Sequence, residues 1–438
     1  MDKKDYIAQV ENLNAEQIVE GILKEVITLG ELQATGNFDA SKRKAVKNLL
    51  SKKDDETFTA ATTAELLRQY LSVFPSGKHA TEARTKIQTL QAQEWRRDTL
   101  LREIEKDINK YDTDDINTLL SDDELDDLCS RLGIDAQMVK DYREPVLKYN
   151  DIPQEESDVP VGYTDIFFWG IPSSGKTCAL SAIFSTIKRD YSMEAPDCEK
   201  KFGATYRDSL INIFRSNFAY LPGRTNMDVT QYMPFMLYKR GEKNKRKISF
   251  FELSGEVFKH FYEEANNTQI IDFSRDHIEK AFQILKLLLK SNNQKIHFFF
   301  IDYNQETKHT ADSYGLTQDN YLDAAATYFR DNNQIFRKKT DAVYVVITKS
   351  DEIPGKDKDK NENAKRFLDE NFGSFMDVLK NQCNKYSVNF RVKLFSIGDV
   401  YFKKICKINR DYSDEIIKEL LERVKPVSGS RIRIVLNS

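Results

Sequence analysis

The segment Asp165-Ile166-Phe167-Phe168-Trp169-Gly170-Ile171-Pro172-Ser173-Ser174-Gly175-Lys176-Thr177 is an apolar run that leads into a glycine-bounded loop. The residues that follow, Cys178-Ala179-Leu180-Ser181-Ala182-Ile183, are typical of a helix start. Four residues match the phosphate-loop pattern, which also requires a strand before the loop and a helix after it: Gly170, Gly175, Lys176 and Thr177. We therefore predict that this loop binds phosphate.

The spacing of this loop has a physical basis. Glycines let the backbone curl so that successive N–H groups point at an anion, and the helix N-terminus adds unpaired donors. Lys176 can bridge the outer phosphates, and the Thr177 hydroxyl can ligate Mg²⁺. The predicted contacts of this loop with a nucleotide are made by Gly170, Pro172, Ser173, Ser174, Gly175, Lys176, Thr177 and Cys178.

Composition favours a chain of two or three domains with mixed surface charge. It has 438 residues, 40% of them hydrophobic, and a net charge of −3, which gives no field of the kind that binds nucleic acid. The cysteines are scattered without a C-x-x-C pair, as expected in a reducing compartment. No signal peptide or membrane-length apolar run is visible, so we expect a cytoplasmic protein without membrane insertion.

Residues 1–150 are predicted to be a helical interaction domain. Asn14–Gln17 and Thr28–Glu31 have the pattern of capping boxes, and residues 63–95 carry facing apolar stripes around a Pro-Ser-Gly turn. That hairpin resembles one unit of tetratricopeptide-like repeats, which must pack on neighbours. We expect protein partners to bind this domain. Residues 151–161 are predicted to be a linker before a second domain at 162–438.

In the second domain strands alternate with helices, which predicts an α/β fold with a largely parallel sheet covered on both faces. Candidate strands are 164–169, 232–239, 247–252, 295–302, 342–348 and 392–397. The connection between 232–239 and 247–252 is too short for a parallel crossover, so these two strands should be antiparallel. Residues 190–222 look like an insertion.

Three strand ends carry further candidate groups. Glu252 can hold Mg²⁺, and the N–H of Gly255 can bond a γ-phosphate. The Asp351 carboxylate can accept two hydrogen bonds from guanine, whereas adenine offers no such donor pair. The remaining candidates for base contact are Thr348, Lys349, Ser396 and Ile397.

Together these motifs resemble the Ras-like, translation-factor-related class of P-loop GTPases over about residues 162–425. Glu252-Leu253-Ser254-Gly255 corresponds to the family's Asp-x-x-Gly, with Glu for Asp. Thr348-Lys349-Ser350-Asp351 corresponds to Asn-Lys-x-Asp, with Thr for Asn, and Ser396-Ile397-Gly398 keeps only the serine of Ser-Ala-Lys. The resemblance implies a three-layer GTPase domain with one antiparallel strand, using GTP or GDP and Mg²⁺. The arrangement is also similar to bacterial GTPases of multi-domain signalling and conflict systems.

The same resemblance implies a switch. Thr225 is the expected switch threonine on Mg²⁺, with Thr230 as the alternative, and Arg224 is either an arginine finger in cis or an ordinary surface arginine. Glu256 stands where relatives carry a water-orienting glutamine, and an anion there should make hydrolysis slow.

Two other functions fit the sequence. Phe298–Asp302 has the pattern of a Walker B strand, which would make the chain an ATPase with Asp302 on Mg²⁺. Glu252 and Glu256 also fit a scaffold that binds GTP and barely hydrolyses it. A nucleotide-dependent oligomer is a separate hypothesis for how the chain assembles.

Overall fold

The fold is taken from a computed structural model that describes residues 3–24, 26–149, 151–223, 230–270, 275–331, 334–337 and 339–427. The chain divides into two compact units, Met1–Ile108 and Asn109–Ser438. This division lies earlier in the chain than the predicted linker at 151–161. The independence of residues 1–150 as a domain stays a prediction.

The first unit is helical. Its helices are α1 (Lys3–Gln9), α2 (Ala15–Leu23), α3 (Leu29–Ala34), α4 (Ala40–Ala60), α5 (Ala64–Val73) and α6 (Ala80–Lys106). Both predicted capping boxes are confirmed, because Asn14 with Gln17 and Thr28 with Glu31 exchange side-chain and backbone hydrogen bonds. The turn between α5 and α6 falls inside the predicted 63–95 hairpin, whose likeness to tetratricopeptide repeats stays a prediction.

The second unit contains strands and helices in alternation. Its helices are α7 (Thr113–Leu119), α8 (Asp122–Leu132), α9 (Ala136–Lys140), α10 (Lys176–Asp190), α11 (Ala204–Ile213), α12 (Val257–Asn266), α13 (Arg275–Lys290), α14 (Tyr303–Thr307), α15 (Gln318–Asp331), α16 (Gln334–Arg337), α17 (Asp357–Asn371), α18 (Gly373–Tyr386) and α19 (Asp411–Arg423). Its strands are β1 (Thr164–Trp169), β2 (Tyr191–Glu194), β3 (Phe218–Tyr220), β4 (Gln231–Lys239), β5 (Arg246–Glu252), β6 (Gln294–Asp302), β7 (Thr340–Thr348), β8 (Asn389–Leu394), β9 (Gly398–Tyr401) and β10 (Ile405–Ile408). Short 3₁₀ turns lie at Glu156–Asp158 and Ser350–Glu352.

Seven strands form the main sheet in the order β2-β4-β5-β1-β6-β7-β8. Strands β5, β1, β6, β7 and β8 are parallel neighbours, while β4 is antiparallel to both β5 and β2. Because the carboxyl ends of the parallel strands share one edge, the loops after β1, β5, β6 and β7 converge there.

Helices cover both faces of this sheet. In β1, Ile166 and Phe168 pack in a core with α10, α11 and α19, whereas Phe167 and Trp169 pack in a core with α12, α13, α15 and α18. Alternate residues of a strand point to opposite faces, so β1 supplies both cores. The predicted fold class is therefore confirmed: three layers around a mostly parallel sheet with one antiparallel strand, preceded by helices.

The six predicted strands are present, and four further strands were not predicted. β2 extends the main sheet, while β3, β10 and β9 form a separate three-stranded antiparallel sheet. The last predicted strand, 392–397, lies earlier, at Asn389–Leu394, so Ser396 and Ile397 belong to the loop that follows it. The predicted insertion at 190–222 contains β2, α11 and β3.

None of the described helices is both long and apolar enough to cross a membrane.

Candidate functional site

The loop between β1 and α10 forms a cradle around the Lys176 ammonium. Nζ of Lys176 donates to the carbonyl oxygens of Gly170, at 2.7 Å, and Ile171, at 2.9 Å. The cradle borders a cavity of about 210 Å³, lined by residues 172–178, 222–223 and 252–255. The predicted phosphate-loop residues thus lie in one concave site with Glu252 and Gly255. Cys178 also lines it, and burial raises the pKa of its thiol to about 12, so that it stays neutral.

The charge state of Lys176 is set by competition between burial and nearby carboxylates. Burial lowers its pKa to about 8, while Glu252 and Glu256 act in the opposite direction. A buried ammonium beside an open cavity can bind a phosphate, because the negative charge of the phosphate favours the charged form of the lysine.

Thr177 and Glu252 lie together at the cavity beside Lys176 and are the candidate ligands for a metal ion there. The Thr177 hydroxyl is 2.6 Å from Oε1 of Glu252, and burial raises the pKa of that carboxyl. No group of three or more His, Cys, Asp or Glu side chains in the described part of the chain forms a metal cluster. Mg²⁺ typically uses one or two carboxylates with substrate phosphates and water, so this hydroxyl and carboxylate fit the ion.

Gly255 lies directly against the phosphate loop. A Cβ at this position would stand 2.2 Å from the backbone nitrogen of Pro172, so no larger residue fits without a shift of the backbone. The turn after β5 and the loop after β1 are therefore in close contact, as the predicted role of Gly255 beside a γ-phosphate requires.

Thr348, the last residue of β7, and Lys349, the residue after it, make different contacts. The Thr348 hydroxyl lies 3.0 Å from the carbonyl oxygen of Ser174 and 3.2 Å from that of Ile301, and its one proton can bond to either. It thereby connects β7 to the phosphate loop. Lys349 has a left-handed backbone with φ of 54°, and its ammonium pairs with Oδ2 of Asp302 at 2.7 Å. Thr348 thus supports the phosphate loop through its hydroxyl.

Asp302 has a different role from the one that the Walker B pattern predicts. Its Oδ1 accepts hydrogen bonds from the backbone N–H groups of Asn304 and Gln305 and so caps α14. Its other oxygen faces Lys349. Thr177 contacts Glu252 instead, which makes Glu252 the carboxylate at the candidate metal position.

The Asp351 side chain is exposed. It borders a second, open cavity together with Ser396 and Gly398. Ile397 is half-buried, and its carbonyl lies 3.5 Å from the Cys406 sulfur in β10. The structure brings Asp351 and Ser396 to one cavity, as base recognition requires, but leaves the carboxylate open to solvent.

Glu256 is buried and forms an ion pair with Lys259, 2.7 Å away and one turn later on α12. Sequence reasoning placed Glu256 at the position of a water-orienting residue and missed this partner. The pair balances the negative charge of Glu256 beside the phosphate cavity and holds its side chain along the helix.

Two predicted residues, Arg224 and Thr225, lie outside the described residues. The alternative, Thr230, is buried, and its hydroxyl makes no hydrogen bond among the described residues. The next residue, Gln231, lies opposite Glu252 in the β4–β5 ladder. The identity of the switch threonine stays a prediction.

Sequence reasoning also missed the elements that surround the cavity. The Tyr206 hydroxyl, from α11, lies 2.6 Å from Oε2 of Glu252. The chain before Pro222 is held by the small sheet, where the Leu221 N–H donates to the Lys404 carbonyl at 2.7 Å. No local motif marks these residues. The one hint in the sequence is that position 252 is a glutamate, whose side chain is longer than that of aspartate and can reach Tyr206 as well as Thr177.

Comparisons with known proteins add little to this geometry. No protein-family model and no curated protein matches the sequence. Among solved structures, the chain is similar to a nucleolar GTP-binding protein 1 from Plasmodium falciparum, with 12% identity, coverage of 60% of this chain and 89% of that chain, and a TM-score of 0.26. It is also similar to a signal recognition particle receptor complex from Chaetomium thermophilum, with 14% identity, coverage of 59% and 100%, and a TM-score of 0.31. Because both scores are below 0.5, the assignment of the site depends on its own residues.

The pKa of Lys176 predicts how phosphate binding depends on pH. Bound phosphates raise that pKa, so binding takes up a proton above about pH 8, and affinity should fall by up to about tenfold per pH unit there. The stability of the fold changes with pH in the opposite direction to the binding affinity. Burying the charged ammonium costs stability below about pH 8, and this cost is lost as the pH rises towards 10.5. The fold therefore becomes more stable over the range where binding weakens, so weaker binding should not reflect unfolding.

Calorimetric titration with a GTP analogue in buffers of different ionisation enthalpy measures both the affinity and the protons taken up. Constant affinity across this pH range, with no proton uptake, would contradict the assignment of Lys176.

Proposed function

We propose that the chain is a GTP-binding switch that hydrolyses GTP slowly and whose nucleotide state controls the helical N-terminal region. The observation that carries this proposal is that the loop after β1, the start of α10 and the turn after β5 meet at one cavity. Lys176 is caged by the phosphate loop, Thr177 contacts Glu252, and Gly255 lies against Pro172. These groups suit the phosphates and Mg²⁺ of a nucleoside triphosphate.

Each group has a distinct task in this proposal. The backbone of the loop and Lys176 bind the phosphates, and the oxygens of Thr177 and Glu252 hold Mg²⁺, with Thr225 or Thr230 as a further ligand. The ion, when bound, balances the charge that develops on the phosphates. Asp351 with Ser396 selects guanine, and Thr348 keeps the loop after β7 in contact with the phosphate loop.

An ATPase centred on Asp302 is less well supported, because that carboxylate caps α14 and pairs with Lys349. A GTP-dependent scaffold with little hydrolysis is the stronger alternative. The ion pair of Glu256 with Lys259 favours it, because a side chain held in this way is poorly placed to orient water.

The proposed partners are proteins that bind the helical N-terminal region. Exposed apolar side chains in that unit support the proposal: Trp95 on α6 is 70% exposed, and Leu66 and Val73 on α5 are 40% and 37% exposed. Nucleotide-dependent oligomerisation would use the same kind of surface.

Single-turnover hydrolysis tests the enzymatic part. With protein in excess over GTP, we expect a slow rate, on the order of 10⁻³ s⁻¹ or below, as for intrinsic GTPases that lack an activator. Glu256→Gln should raise this rate by about tenfold, because the neutral amide can both donate to and accept from water. Glu263→Gln is the matched control, since Glu263 is a buried acid within α12, the helix that Glu256 precedes.

A wild-type protein that binds GTP but forms no GDP, together with no gain in Glu256→Gln, would favour the scaffold. An equal gain in both variants would show that the rate does not depend on position 256.

A further inference from the structure

The Glu252 carboxylate is held at both of its oxygens by two different elements. The Thr177 hydroxyl, at the start of α10, lies 2.6 Å from Oε1, and the Tyr206 hydroxyl, on α11, lies 2.6 Å from Oε2. Glu252 is 1% exposed and Tyr206 is fully buried. A phenolic hydroxyl is protonated at neutral pH, so Tyr206 can donate to the carboxylate. Short bonds between a hydroxyl and a carboxylate are among the stronger hydrogen bonds in proteins.

The position of Tyr206 is itself fixed. It lies in the first turn of α11, which begins after Gly203, where φ is 64° and a Cβ would stand 2.4 Å from the Tyr232 carbonyl oxygen in β4. This close approach seats the start of the helix against the sheet. The ring of Tyr149 stacks on the ring of Tyr206, with centroids 5.4 Å apart. The Tyr206 hydroxyl therefore has little freedom to leave Glu252.

A glutamate at this position needs such a partner. It has one more rotatable bond than aspartate, so a free glutamate would sample orientations that do not face Thr177. Metal-ligating carboxylates are usually held by a hydrogen-bond donor that fixes their orientation, and loss of that donor commonly costs about 10–100-fold in metal affinity.

We propose that Tyr206 is a positioning residue for Mg²⁺: by binding Oε2 of Glu252, it presents the other oxygen, beside Thr177, to the ion. The inference depends on the proposed function, because it assumes that a nucleotide and Mg²⁺ occupy the cavity. The inference gives the 190–222 region a role, since this region supplies Tyr206 to the metal site. It also explains how a glutamate, which is longer than aspartate, can serve at position 252.

The test is the Mg²⁺ dependence of GTP-analogue binding in wild type and in Tyr206→Phe. We expect the Mg²⁺ concentration for half-maximal tight binding to rise at least about tenfold in the variant, while affinity in EDTA changes by less than about twofold. Tyr191→Phe is the matched control, because it also removes a tyrosine hydroxyl bonded to a carboxylate, here Asp414 at 2.5 Å, and should leave the Mg²⁺ dependence unchanged.

A second comparison, which starts from Glu252→Asp, tests whether Tyr206 acts through the Glu252 carboxylate. Glu252→Asp shortens the side chain away from Tyr206, so the double variant with Tyr206→Phe should show no further loss of Mg²⁺ affinity beyond Glu252→Asp alone. Additive losses in the double variant, or an unchanged Mg²⁺ dependence in a folded Tyr206→Phe, would overturn the inference. So would an equal loss of binding with Mg²⁺ and with EDTA. A wild type that binds no GTP analogue in either condition would instead refute the proposed function.

Discussion

Lys176→Ala is expected to abolish measurable nucleotide binding and to leave the fold intact. Among the described residues that line the phosphate cavity, Lys176 alone carries positive charge. Charge-assisted hydrogen bonds contribute about 1.5–3 kcal/mol each, so loss of contacts to two phosphates should weaken binding by at least about 10²-fold.

The fold should survive because two effects of the substitution oppose one another. Alanine removes the bonds from Nζ to the carbonyls of Gly170 and Ile171, but it also removes a buried ammonium whose lowered pKa records the cost of burial. We therefore expect the midpoint of thermal unfolding to change little.

A second buried lysine provides the control. Lys295 is fully buried, and its ammonium donates to the carbonyls of Ser291 and Asn293, each at 2.8 Å, near the start of β6. Lys295→Met should retain binding of a fluorescent GTP analogue as long as it remains folded. Comparable titrations of wild type and Lys176→Ala would refute the phosphate-loop assignment. Equal losses in both folded variants would show that the effect on binding is not specific to Lys176.

The sequence predicts best the parts of the site whose chemistry is local. Lys176 and Thr177 are the first two residues of α10, directly after the loop. β1 before the loop is buried throughout, and most of α10 is buried as well. Glu252 follows from the same reasoning, since a carboxylate at the end of a buried strand beside β1 must lie near the loop. Helical and strand periodicity needs no tertiary information to place these residues.

Contacts between distant segments are not visible in the sequence. Tyr206 has the pattern of a core residue in a short helix, and only the packing of α11 brings its hydroxyl to Glu252. The strands β9 and β10 have four residues each. β10 pairs with β3, almost two hundred residues earlier in the chain, and β9 pairs with β10. Asp302 shows that one pattern can fit two roles: a strand-end carboxylate fits a metal ligand, but the same residue type is a favoured helix cap, which is its place at α14.

Asp351→Asn is expected to change base preference from guanine towards xanthine. The Asp351 carboxylate only accepts hydrogen bonds, and guanine offers two donors, at N1 and at its exocyclic amine. Asparagine supplies one acceptor and one donor, which matches xanthine better. In the wild type, the sequence argument for a buried carboxylate predicts discrimination of about 10³-fold against ATP, since adenine would leave the charge unpaired.

The structure modifies the magnitude of that expectation. Asp351 is exposed beside the cavity that it shares with Ser396, so the preference depends on how fully a bound base covers the carboxylate. We expect Asp351→Asn to lose GTP affinity by about 10²-fold and to gain affinity for xanthosine triphosphate. Competition of GTP, ATP and xanthosine triphosphate against a fluorescent analogue measures all three. Asp399→Asn is the control, because Asp399 is an exposed acid on the same cavity and its loss changes the charge equally.

Three outcomes separate base recognition from a plain change of charge. A gain for xanthosine triphosphate in Asp351→Asn alone supports contact with the base, because only hydrogen-bond complementarity distinguishes xanthine from guanine here. The same shift in Asp399→Asn would assign the effect to the charge of the cavity. If ATP competes as well as GTP against wild type and Asp351→Asn changes nothing, residues 348–351 are a strand-end turn without a role in base choice. In that case Asp302→Ala becomes the variant to test, with loss of Mg²⁺-dependent binding as the result that would restore the ATPase alternative.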